Sequence, residues 1–183
     1  MSFLVETQEP LFFAPQTVRL LIDSDNNQNT GYFYPGMGVD HVIEIYGSAQ
    51  GAISGDGGFL YVFDNSKDKS DWNGFHSLTT IKANTTSAFH SSSQNKMEFQ
   101  VPLFDLGINA GEGIKFVILT LDNNGNFDST SIMNSATQEE QSYLSRVLIQ
   151  RQNANGNYNG ALDGINIDGN FEDWNENANQ LLS

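Results

Sequence analysis

The sequence has no cysteine, only 8 lysines and arginines among 183 residues, and no unbroken apolar run of the roughly 18 residues that span a bilayer. The first absence excludes disulfides, thiolate zinc sites, iron–sulfur clusters and cysteine nucleophiles together. The second leaves 22 acidic side chains largely unopposed, for a formal charge of −14 and a pI of about 4.2. Coulomb repulsion from such a chain opposes nucleic acid and anionic membrane surfaces and favours cations. The third absence argues against direct membrane insertion. No basic region followed by an apolar run opens the chain. The expectation is a piece of a longer secreted protein.

What is abundant is turn chemistry. There are 21 asparagines and 17 glycines, and Asn-Gly pairs stand at 73–74, 124–125, 155–156 and 159–160. Asn, Asp and Gly build tight turns and all-oxygen metal loops. Between the turns lie short runs rich in Val, Ile and Phe: VRLLI (18–22), VIEIY (42–46), FLYVF (59–63), MEFQV (97–101) and KFVILTL (115–121). VIEIY and MEFQV alternate with period two, as half-buried strands do, whereas KFVILTL is apolar almost throughout and belongs in the middle of a sheet. Residues 3–13 supply a further strand broken by Pro10. This pattern predicts an all-β, two-sheet antiparallel sandwich of jelly-roll type, with 1–183 as a single domain.

At most one short helix interrupts it. Thr137 and Glu140 fit a capping box, and Tyr143, Leu144, Val147 and Leu148 recur at helical spacing. Ser145 to Gln150 (SRVLIQ) also reads as a strand, so the prediction is a helix over about 138–145 running into a strand. A polar Asn/Gly-rich loop follows, then the compact INIDGNFEDW (165–174).

The sharpest chemical signal is DSDNNQNTGY (23–32), directly after a strand. Asp23, Asp25, Asn27 and Asn29 place side-chain oxygens at alternate positions that converge when the loop curls. Gly31 permits the positive φ that closes the curl. Calcium takes six to eight hard oxygens in a forgiving geometry, and two neighbouring carboxylates repel without a cation. Asp40, one hairpin away, is the expected cross-strand ligand. Asp122, Asn124, Asn126 and Asp128 repeat the alternation after KFVILTL and form the expected second calcium loop. Asn153, Asn155, Asn157, Asn159 and Asp163 make a weaker, mostly neutral third run.

IDSDNNQNTGY with GMGVDHVIEIYG, MEFQVPLFDLGI and NIDGNFEDW together resemble extracellular domains of the family 9 carbohydrate-binding-module and DOMON-like kind, over about residues 5–175. The resemblance implies a two-sheet sandwich, often repeated in tandem in secreted or cell-surface proteins of archaea and bacteria. In those relatives the I-D-G-x-x-x-D-W piece precedes the sandwich; here it ends the chain. Residues 164–183 are therefore expected to pack on their own sandwich or on a neighbouring copy.

Polysaccharide binding is the alternative function, with Trp72 in a polar loop as the stacking residue and Trp174 second. Some DOMON relatives bind haem, but no spacing pairs His41, His76, His90, Met37 or Met97 as axial ligands. Catalysis finds little support: Glu44 and Glu98 fall on the polar phase of their strands, where a solvated face explains them. His90 merely precedes the serines at 91–93, and no phosphate-binding glycine loop is present. The reading from sequence is a non-catalytic, calcium-stabilised extracellular or cell-surface module with a structural or adhesive role.

Overall fold

A computed structural model describes residues 1–7, 17–47, 57–85, 96–109, 112–121, 127–134 and 144–150. Strands dominate these segments. They are β1 (Ser2–Thr7), β2 (Thr17–Asp23), β3 (Tyr32–Tyr34), β4 (Met37–Val39), β5 (His41–Tyr46) and β6 (Gly58–Phe63). There follow β7 (Phe75–Thr85), β8 (Lys96–Gln100), β9 (Lys115–Leu121), β10 (Phe127–Ser129), β11 (Met133–Asn134) and β12 (Leu144–Gln150). Two 3₁₀ turns, Trp72–Gly74 and Leu103–Leu106, are the only helical pieces among the described residues. The all-β expectation holds, and each apolar run read from the sequence lies on a strand or overlaps one.

Ten strands form one antiparallel sheet in the order β10-β9-β2-β5-β6-β7-β8-β1-β12, with β11 also on β9; β3 and β4 make a separate hairpin. The sheet is curled. Six steps separate β9 from β1 along that order, about 29 Å if the sheet were flat. Yet Phe3 on β1 meets Phe116 on β9 edge-on, with ring centroids 6.1 Å apart. The long strand β7 makes the turn possible, since its first part pairs with β6 and its last residues, Lys82–Thr85, pair with β8.

Inside the curl, alternate residues of β1, β2, β5, β8 and β9 meet Leu60 of β6. Phe3 and Val5, Val18, Leu20 and Ile22, Ile43 and Ile45, Leu60, Met97 and Phe99, and Phe116 and Ile118 form one buried cluster. Phe3 stacks on Phe99 at 4.9 Å. The opposite face of β2, β5 and β9 carries Leu21, Val42 and Val117, which are covered by Met37 and Val39 of the β3–β4 hairpin. KFVILTL is thus apolar almost throughout because both faces of β9 are covered over most of its length, as a central strand requires.

Two expectations change. Leu144 and Ser145, read as the end of a helix, lie in β12 opposite β1; residues 138–143 are outside the described residues, as is the 164–183 segment. Glu44 and Glu98 are buried, not solvated. Polar phase in a strand means a solvated face only where nothing covers that face; the Glu44 carboxylate is held between the Arg19 guanidinium and the Tyr46 hydroxyl.

Candidate metal centre

Asp23 ends β2, and Asp40 sits between β4 and β5, with its backbone N–H on the carbonyl of Ile22 at 2.8 Å. Adjacent strands therefore deliver the two carboxylates to one end of the β2–β5 pair. The loop between them supplies Asp25. One carboxylate oxygen from each of Asp23, Asp25 and Asp40 lies within 4.8 Å of the other two, with Asp23 fully buried.

The loop is held in shape by its own short polar side chains. Asp40 Oδ2 accepts the backbone N–H of Ser24 at 2.9 Å and its hydroxyl at 3.0 Å. Asn27 N–H donates to Asp23 Oδ1 at 3.1 Å and to Asp25 Oδ1 at 2.8 Å. The Thr30 hydroxyl donates to the Asp25 carboxylate at 2.9 Å. Asn26 takes the left-handed conformation with φ 57°. Gly31 does so at φ 68°, and a Cβ there would stand 2.5 Å from the carbonyl carbon of Val39. Only glycine meets both demands.

Burial raises the pKa of Asp23, against the lowering effects of the Gly38 N–H, Lys115 and the Asn27 N–H. Burial likewise raises Asp40, which the Ser24 N–H and hydroxyl partly offset while the charge of Asp25 adds to the rise. Lys115 stands opposite Asp23 in register. Among the described residues, however, no lysine or arginine forms an ion pair with any of the three aspartates. Three carboxylates so placed repel one another unless protons or a cation intervene. A divalent ion with oxygen ligands fits this donor set, because the acceptors are hard and the geometry is open on the loop side.

The five residues expected at this first loop separate into two groups. Asp23, Asp25 and Asp40 converge. Asn27 instead turns its Oδ1 to the N–H of Asn29 at 3.1 Å, and Asn29 is exposed with its carbonyl on the Lys69 ammonium. At the second loop Asp122, Asn124 and Asn126 lie outside the described residues. Asp128 begins the return on β10, its Oδ1 accepting the N–H of Ser129 at 2.9 Å. Trp174 is also outside the described residues.

Trp72 follows the N-cap Asp71, whose Oδ1 accepts from the Asn73 N–H at 2.9 Å. The residue is 37% exposed. Arg19 lies over it at 5.0 Å, and Tyr32 and Phe75 approach at 5.3 and 4.9 Å between centroids. Trp72 thus pins its loop to the sheet while leaving part of itself in solvent. Beside the aspartate loop, a cleft of about 440 Å³ is lined by Ser24, Asp25, Asn26, Gly107, Ile108, Glu112 and Gly113.

Sequence reading missed Asn65 and Lys69, which reach the aspartate loop from residues 64–71, and the Arg19–Glu44 pair. The run DNSKDKSD marks a turn, but nothing in it says which neighbour the turn faces. Comparison of the chain with protein-family models, with curated proteins and with solved structures gives no match.

Proposed function

We propose that this chain is a calcium-stabilised, non-catalytic β-sandwich module of a secreted or cell-surface protein, with a structural or adhesive role. The observation that carries the reading is the convergence of Asp23, Asp25 and Asp40 around a buried carboxylate, with no cationic side chain paired to them among the described residues. A cation that binds the folded loop and not the unfolded chain adds RT ln(1 + [Ca]/Kd) of stability. Millimolar extracellular calcium keeps a site of modest affinity filled. In such a protein the ion acts as a staple, a role disulfides play in other secreted domains and one this cysteine-free chain cannot fill that way. Neighbouring copies of the module are the partners in that setting.

Thermal unfolding with calcium and with a chelator tests the reading. Calcium is expected to raise the melting temperature, and Asp23→Ala to abolish most of that rise. Identical melting curves in calcium and chelator would sink it.

A second reading has its own observation. Tyr46 and Phe59 are exposed on the same outer sheet face as Arg19 and Glu44, their rings 6.3 Å apart, with Trp72 beyond Arg19. Exposed rings beside fixed hydrogen-bonding groups suit the apolar faces of sugar rings, so polysaccharide is the alternative ligand. Oligosaccharide-induced change in tryptophan emission, lost in Trp72→Ala and Tyr46→Ala, is the expected result; no response to any oligosaccharide removes this reading.

A further inference from the structure

Residues 64–71 leave β6, run beside residues 29–33 and end at Trp72. Their root is fixed by the Phe63 N–H on the carbonyl of Asp40 at 2.8 Å and by the Asp64 N–H on the carbonyl of Gly74 at 3.0 Å. Asn65 then turns its Oδ1 to the N–H of Gly31 at 2.7 Å. The Lys69 ammonium reaches the carbonyl of Asn29, and the Lys69 carbonyl accepts from the Phe33 N–H at 2.7 Å. The bonds made by Asn65 and Lys69 land on residues 29–33, the outgoing arm of the loop that carries Asp25 and the start of β3. None touches a carboxylate of the cluster.

The segment is also stiff. Asp64 accepts the Ser66 N–H at 2.9 Å and Asp68 the Ser70 N–H at 2.8 Å, while Lys67 and Asp71 close backbone turns at 2.9 Å each. A displacement at Gly31 is therefore passed along a bonded unit. At the far end, Gly74 lies so close to the Phe63 ring that a Cβ would collide with it, and Trp72 is wedged among Arg19, Tyr32 and Phe75. Small movements of that end change what surrounds the indole.

We infer that residues 64–71 are a strap coupling cation occupancy at Asp23, Asp25 and Asp40 to the setting of Trp72, with Asn65 and Lys69 as its positioning residues. The inference rests on the calcium reading above. A cation drawing the three carboxylates together fixes residues 24–31, and Gly31 and Asn29 then hold the strap through Asn65 and Lys69. Strap and loop order one another, so each raises the other's effective affinity. The outer face bearing Arg19 and Trp72 is thereby set by an ion it does not contact.

The test uses the full chain carrying Trp174→Phe, so that Trp72 is the sole tryptophan. Calcium chloride is titrated while binding is read by calorimetry and Trp72 emission is read on the same samples. The two curves are expected to share one midpoint. Asn65→Ala should weaken calcium binding about tenfold, a usual size for coupling between two linked sites, and should shrink the emission change. Lys69→Met should act in the same direction. Ser66→Ala, whose contacts stay at Asp64, should leave both intact. Calcium binding with a flat Trp72 signal overturns the strap and leaves the calcium reading standing, as does unchanged affinity in both Asn65→Ala and Lys69→Met. An absence of calcium binding overturns both.

Discussion

Arg19 Nε donates to Glu44 Oε1 at 2.5 Å across β2 and β5, and the same guanidinium lies over the Trp72 ring. Glu44 is buried, and its second oxygen accepts the Tyr46 hydroxyl. Arg19→Met leaves that carboxylate without its cation and removes the contact on Trp72. The expected loss is about 2–4 kcal/mol in chemical denaturation. Replacing both partners, as Arg19→Met with Glu44→Leu, is expected to recover much of it, because the cost lies in the orphaned charge. A double variant no more stable than Arg19→Met would contradict this account.

The two raised aspartate pKa values fix the sign of a pH effect. A carboxyl raised on folding prefers its proton in the native state, so the stability it contributes is present at acid pH and is lost as pH rises through the folded value. Without divalent cations, Asp23 and Asp40 therefore weaken the fold at neutral pH. Calcium removes that penalty, and protons compete with it. The gap between melting temperatures with and without calcium is expected to be widest near neutrality and to close as pH falls through the acid range. A gap that widens on acidification would refute the assignment.

His41 acts in the opposite sense. Its Nδ1 is buried and, among the described residues, unpartnered; burial lowers its pKa to about 4. The neutral ring is the folded form, so stability is full above the ordinary value near 6.5 and is lost as pH falls toward 4. The loss is up to about 3 kcal/mol. His41→Leu should remove this acid limb while costing little at pH 7, since the ring makes no hydrogen bond through Nδ1. The check is the difference between wild-type and variant stability measured from pH 7 to pH 4.

Two glycines with nearly equal φ separate backbone strain from collision. Gly107, at 67°, has nothing within 4 Å of a hypothetical Cβ, whereas Gly31, at 68°, has the Val39 carbonyl 2.5 Å away. Gly107→Ala is expected to cost about 1 kcal/mol, the price of the left-handed conformation alone. Gly31→Ala should cost clearly more, about 2–4 kcal/mol, and should weaken any calcium binding with it. Equal losses in denaturant titrations would remove the steric argument.

Period-two alternation made β5 and β8 legible, and the doubly apolar KFVILTL told of a central strand. The convergence of the aspartates was legible because oxygen-bearing residues at alternate positions turn inward when a glycine closes the curl. Asp40 was found by hairpin logic, although β3 and β4, only three residues each, carry too short a pattern to be seen. β7 escaped notice because FHSLTTIKANT bends from one neighbour to another and is polar over much of its length. Asn27 and Asn29 share the spacing of the aspartates, yet they serve the turn; an amide closes a local ring with the backbone as readily as it faces an ion. Asn65 and Arg19 act on residues far away in sequence, and no local pattern records such partners.

The place of β1 in the strand order has a kinetic consequence. It lies between β8 and β12, and its register runs from Ser2 opposite Gln150 to Glu6 opposite Arg146. The earliest strand of the chain thus receives both of its hydrogen-bonded neighbours from much later in the sequence. Until β8 and β12 arrive, Phe3 and Val5 have no sheet to join, and the curl cannot close on Phe116. Loop closure over such separations is paid before any contact repays it, so folding belongs to the slow, millisecond-to-second class of non-local β-proteins. A molecule still waiting for β12 exposes the free edge of β1, and with it a place where the β12 of another copy could pair.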